Sequence, residues 1–339
     1  LPERKTAYVS DYGFGLCNPL TPADLGRQAA LPPIDLGALR GPHGLTFAGG
    51  KVWFTAEAAK AIGSYDPRAN KVDWILGTGQ NRTHMIFVSA DLQWMATTNV
   101  SSATVSLIEK STNQRPPGPP PPMANSGGGT PQKGGPPMGG GPRGAPGGDW
   151  DETLIPVGHG SEGFDVSPDG SEIWVANAQD GTISIISKEK KTVIQTLAAN
   201  VKGANRLKFT PDGKMVLISS LGGSGLTIYD AATRKEINRL NIGRGAAGIV
   251  MQPDGSRAFV ACTPDDYVAV IDLKSLAVVG HFDAVPEPDG LAWSIRRFRQ
   301  GFPIAPPVRS PASTFLPQLP SLRRQGSSVT RICVTFSIA

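Results

Sequence analysis

The chain has 339 residues, with 33 basic and 28 acidic side chains, 41 Gly, 31 Pro and only 7% aromatics. That composition favours many short strands and turns over long helices, and the length suits one large all-β domain or two ordinary ones. No run of apolar residues is long enough for a membrane-spanning helix, so no membrane span is expected.

The formal charge of +5 is unevenly placed. Residues 294–339 hold seven Arg, no Lys and no acid, which leaves 26 basic against 28 acidic groups in the preceding 293 residues. The high isoelectric point therefore belongs to the tail, and no nucleic-acid partner is expected from it. Cys17, Cys262 and Cys333 show neither CxxC nor metal-ligand spacing and read as buried or incidental thiols. There is no GxSxG, HExxH, Walker A or CxxCH motif.

In chain order, KTAYVSDYG (5–13) reads as the second strand of a repeating unit whose first strand is missing. GPHGLTFAGGKVWFTAE (41–57) reads as strand, turn, strand, and THMIFVSAD (83–91) begins the next unit. Its third strand is ATVSLIEK and its fourth ETLIPVG; between them 115–148 is 34 residues long, of which 23 are Gly or Pro. That segment buries too little apolar area to offset its ordering entropy and is expected to be disordered. EGFDVSPDGSEIWVAN (162–177), NRLKFTPDGKMVLISS (205–220) and AGIVMQPDGSRAFVAC (247–262) then repeat one sentence: strand, Pro-Asp-Gly turn, strand. DGLAW (289–293) reads as one further first strand.

The first strands begin at His43, His84, Glu162, Asn205, Ala247 and Asp289, at intervals of 41, 78, 43, 42 and 42. The long interval exceeds the rest by about the length of the Pro/Gly insertion. A period near forty with alternating apolar positions is the signature of a β-propeller of four-stranded blades. The expected domain is 1–293, and residues 294–339, rich in Pro and Ser with no blade pattern, are expected to be disordered.

These blades, with AYVSDYG, GPHGLTF, THMIFVSAD, SEGFDVSPDGSEIWVANAQDGTISII and EPDGLAW, resemble the YVTN/YncE-like β-propeller proteins over about 5–293. The resemblance implies seven-bladed ancestry, with about six blades' worth of chain here. It also implies an exported bacterial protein, periplasmic or extracellular, and a monomer. A full-length member would carry a signal peptide and further strands before residue 1, so the chain reads as truncated at its start.

In a propeller the first strands line the central channel. Their leading residues, His43, His84, Glu162, Asn205, Ala247 and Asp289, form one expected ring at a channel mouth. The ends of the second strands, Asp11, Glu57, Asn99, Asn177, Ser220 and Cys262, form a looser second ring. Three readings stay open. The polar lining can merely satisfy strand ends and channel water. It can be a non-catalytic site for a protein or small-molecule ligand at the channel mouth, formed by His43, His84, Glu162, Asn205, Asp289, Glu57, Asn99 and Asn177. A divalent metal on His43, His84 and Glu162 suits that reading. Third, it can be a metal-assisted lactonase or lyase with a His as general base, since 41–57 looks locally like a blade of the virginiamycin B lyase type. His159 and His281 fall on fourth strands or connections and are expected to be solvated. Trp53, Trp94 and Trp174 are expected to pack between blades.

Overall fold

The computed structural model describes residues 6–11, 20–24, 29–111, 150–223, 225–284, 286–293 and 332–333. Cys17, the 115–148 insertion and residues 294–331 lie outside them.

Five complete four-stranded antiparallel sheets follow one another along the chain. The first runs through Pro42–Ala48, Lys51–Ala56, Ala61–Asp66 and Lys71–Gly77. The second comprises Thr83–Val88, Trp94–Asn99, Thr104–Lys110 and Trp150–Pro156. The third comprises Ser161–Val166, Glu172–Asn177, Thr182–Ser187 and Thr192–Leu197. The fourth comprises Ala204–Phe209, Met215–Ser220, Gly225–Asp230 and Lys235–Asn241. The fifth comprises Ala246–Met251, Arg257–Cys262, Tyr267–Asp272 and Ala277–Asp283. Each sheet pairs its strands in sequence order, and successive first strands pack against one another, as in a β-propeller. No α-helix occurs among the described residues; Glu57–Ala59 and Thr263–Asp265 are single 3₁₀ turns.

A smaller sheet precedes these blades. Thr6–Asp11 pairs with Leu20–Asp24, which pairs with Ala29–Ala30. The two-residue strand Ile332–Cys333 lies on the other edge of Thr6–Asp11, where the other blades carry their first strand. The expectation that DGLAW (289–293) forms a first strand is not met, because 288–293 carry no strand. The segment still docks where a next first strand would, with the Gly248 amide donating to the Asp289 carbonyl at 3.0 Å. Among the described residues it has no second strand of its own to complete a ladder.

The repeat's chemistry explains its geometry. In the Pro-Asp-Gly turns, Asp169, Asp212 and Asp254 accept the backbone amides of Ser171, Lys214 and Ser256 at 3.0, 3.1 and 2.9 Å. Gly170, Gly213 and Gly255 take φ of 73°, 72° and 72°, a region that side chains other than Gly rarely enter. The insertion leaves the second blade intact because its ends are clamped: Lys110 pairs with Trp150, and the register then runs on to Thr104 and Pro156.

Apolar faces interlock between blades rather than within one. Trp174, Ile183 and Ile185 of the third blade share a buried cluster with Leu207, Phe209, Val216 and Ile218 of the fourth. The tryptophans do the same work: Trp174 meets Phe209 edge-on at 5.7 Å, and Trp74 packs on both Trp53 and Trp150. Trp94 carries Lys188 of the next blade over its ring at 4.8 Å.

Candidate functional site at the channel mouth

All five first strands break register at the same place. The ladder to the second strand skips residues 43–44, 84–85, 162–163, 205–206 and 247–248. Such a bulge frees two residues from their own sheet and re-aims their side chains. Those residues turn to the neighbouring blade instead. The carbonyl of His43 accepts from Ser10 Oγ at 2.7 Å, that of His84 from Thr55 Oγ1 at 2.6 Å, that of Glu162 from Thr98 Oγ1 at 2.7 Å and that of Ala247 from Ser219 Oγ at 2.6 Å. In each case a hydroxyl near the end of one second strand latches the leading residue of the next blade. Gly163 permits the same approach, since a Cβ there would stand 2.3 Å from the Asn205 carbonyl oxygen.

The leading side chains thereby converge. The rings of His43 and His84 stack with centroids 3.8 Å apart. His84 Nδ1 is bonded to Glu57 Oε1, and Nε2 lies 2.7 Å from Glu162 Oε2 without hydrogen-bond alignment. The side chains of His84 and Glu57 are 2% and 3% exposed, so this pairing is made out of water. Arg82 closes the arrangement, with Nε 3.5 Å from Glu57 Oε2 and Nη1 3.5 Å from Glu162 Oε1. On the far side, the Nη2 of buried Arg206 is 3.9 Å from Asp289 Oδ1.

The electrostatics divide the two histidines. Burial, the His84 charge and the two guanidiniums hold His43 well below the ordinary imidazole value, so it is neutral. Burial also opposes charge on His84, but Glu162 and Glu57 outweigh it and raise His84. Burial alone would raise Glu162; His84, Arg82 and Arg206 instead hold it at about 2. The cluster thus stacks an imidazole whose proton is disfavoured on one whose proton is favoured, the latter set between Glu57 and Glu162.

His43, Glu57 and His84 offer three donor atoms that all lie within 4.8 Å of one another. This trio differs from the expected His43, His84 and Glu162: Glu57 completes it, and Glu162 sits at the opposite ring nitrogen of His84. Glu57 reaches inward because it is not at the end of the second strand. Ala56 holds that place, paired with Pro42, and Glu57 starts the 3₁₀ turn after it.

Asn99 and Asn177 are not brought to the cluster. Asn99 Nδ2 donates to Thr104 and Ser106 hydroxyls at 3.1 and 2.9 Å, and Asn177 Nδ2 to Thr182 and Ser184 at 3.0 and 2.9 Å, all within their own blades. Ser220 and Cys262 bond instead to carbonyls of the connections that lead into their blades, at Lys202 and Ile242. Asn205 is buried beside Arg206, and Asp289 faces that arginine. His159 is 75% exposed, and exposed His281 packs on Tyr267.

Arg82 and Arg206 escaped the repeat analysis. Arg206 had a signal: the residue after the leading one is Gly at 44, 163, 248 and 290, and only Met85 and Arg206 depart from that rule, Arg206 with a charge. Arg82 stands one residue before its strand, outside the aligned repeat.

No protein-family model matches this chain, and neither does any curated protein sequence. Among solved structures, the chain is similar to one assigned as a 6-phosphogluconolactonase from Bacteroides uniformis, at 15% identity and a TM-score of 0.63, covering 86% of each chain. It is also similar to the hydrazine synthase of Kuenenia stuttgartiensis, at 16% identity and a TM-score of 0.55, covering 75% of this chain and 71% of that one. At such identities the likeness establishes the β-propeller fold alone.

Proposed function

We propose that this chain is a non-catalytic binding propeller of the bacterial envelope that takes its ligand at the channel mouth, with a divalent metal held by His43, Glu57 and His84. The envelope location rests on the family resemblance. The binding reading rests on one observation: three buried donor atoms within 4.8 Å, two from the bulged, cross-latched ring and one from the 3₁₀ turn at Glu57. Two imidazoles and a carboxylate suit Zn²⁺ or a similar ion, and neutral His43 is already in ligand form. Metal would replace the proton between His84 and Glu57, while Glu162 at the other ring nitrogen orients the imidazole. Arg82, on the second oxygen of Glu57, fixes that carboxylate.

The test is metal content by mass spectrometry, with Zn²⁺ titration calorimetry, on the whole chain and on a His43→Ala/His84→Ala variant shown to fold by circular dichroism. Stoichiometric metal in the first and none in the second is expected. A folded chain that takes up no Zn²⁺ overturns the metal site.

The second reading is a metal-assisted lactonase or lyase. It is favoured by neutral His43 stacked on charged His84, which sets a base beside an acid. One structural neighbour carries a lactonase assignment. Turnover of a lactone panel that vanishes in folded His43→Ala would move the assignment to this reading.

A further inference from the structure

Arg206 occupies the place where four of the other leading residues are followed by glycine, and it puts a cation there. Its side chain is 10% exposed. A guanidinium carries five N–H donors, and leaving them unmet in a buried place is costly. Yet its contacts among the described residues are slight: Nη1 to the Asn205 carbonyl at 3.4 Å, and Nη2 at 3.9 Å from Asp289, beyond hydrogen-bond reach. Beside it, the side-chain oxygen of Asn205 is buried without a partner. Nothing in the propeller framework demands either group there, since the same position in the fifth blade is Ala247-Gly248. Asp289, which faces Arg206, is 25% exposed, and Arg82, which also faces Glu162, is 41% exposed.

We propose that Arg206 and Asn205 form the anchor for a small hydroxy-carboxylate ligand, with the carboxylate on the Arg206 fork and a hydroxyl on the Asn205 amide. This deepens the binding reading above by naming the ligand class, and it rests on that reading. A planar two-oxygen anion matches the guanidinium fork with two parallel hydrogen bonds. A hydroxyl both donates and accepts, so it satisfies the Asn205 amide in either orientation. Asp289 and Glu162 flank Arg206 and disfavour a doubly charged phosphate there; a monoanion meets less repulsion.

The experiment is titration calorimetry of the whole chain with glycolate, acetate and inorganic phosphate, each with and without Zn²⁺, and with Arg206→Met and Asn205→Ala. Metal content is measured on every variant. Glycolate is expected to bind more tightly than acetate or phosphate. Arg206→Met is expected to weaken glycolate at least tenfold while metal content stays that of the parent chain. Asn205→Ala is expected to erase the preference for glycolate over acetate. No glycolate binding to a metal-loaded chain, or phosphate binding more tightly than glycolate, overturns this proposal and leaves the metal reading standing. Arg206-dependent glycolate binding to a chain that takes up no metal sustains it and removes the metal.

Discussion

Two rings of polar side chains sit at the same end of the blades and behave in opposite ways. The ring at the ends of the second strands stays with its own part of the chain: Asn99 and Asn177 direct their bonds to hydroxyls of the same blade, and Ser220 and Cys262 to carbonyls of the connections leading into their blades. The ring at the starts of the first strands is turned out of its sheet by a bulge, so His43, His84 and Glu162 meet one another across blades. Polarity alone does not separate the rings. What separates them is whether the backbone ladder is intact at that residue. An intact ladder leaves a polar side chain near partners in its own sheet; a bulge releases it to the channel.

The largest effect expected from testing this contrast is at Glu57. Glu57→Ala leaves the buried His84 charge with one carboxylate, and breaking a buried pair in this way costs about 3–5 kcal/mol. Urea unfolding should show that loss, and metal uptake should vanish with it. Asn177→Ala belongs to the other ring. It strands two hydroxyls inside the third blade and should cost about 1–3 kcal/mol. Metal content should be unaffected, and a loss of metal there would erase the distinction between the rings.

Stability should also depend on pH through the first ring. The raised value of His84 makes its contribution complete below its ordinary 6.5 and lost as the pH rises through the folded value. The lowered value of His43 does the reverse: the unfolded chain binds its proton first, so stability falls as the pH drops below 6.5. Glu162, at about 2 against an ordinary 4.5, adds stability that is complete above pH 4.5 and lost as the pH falls through about 2. Urea midpoints should therefore peak near pH 6.5 and decline on both sides. Replacing His84 by Leu should flatten the alkaline limb, while Asn99→Ala should shift the curve down without changing its shape. The smallest effect is expected at the hydroxyl latches, where Thr55→Val should cost about 1 kcal/mol by thermal unfolding. It releases the His84 carbonyl and should loosen the metal more than Asn99→Ala does.

Much of the fold was legible because a propeller writes its geometry locally. The Pro-Asp-Gly turns of the third, fourth and fifth blades and the alternation in EIWVAN report on residues a few positions apart, and all five complete blades follow the forty-residue period. The insertion announced itself by composition. DGLAW misled because its sequence matches a first strand, but a strand exists only when a partner ladder is present, and none is supplied after Trp293 among the described residues. The leading residues were legible as a ring for the same reason of period. The repeat puts Glu57 one residue out of register, because a 3₁₀ turn follows the strand end at Ala56 and leaves no mark in the apolar alternation.

By itself the sequence determined the blade, its turns, its alternation and the order of leading residues, since these follow from backbone preferences and from the two-residue period of a pleated strand. Only the tertiary structure decided which polar groups meet. His84 and Glu57 are 27 residues apart, Thr98 and Glu162 are 64 apart, and Arg206 is on the fourth blade while Asp289 is on the segment after the fifth. Their distances depend on how the bulges turn side chains and how neighbouring blades pack, and the low dielectric of that packed interior sets which histidine holds a proton.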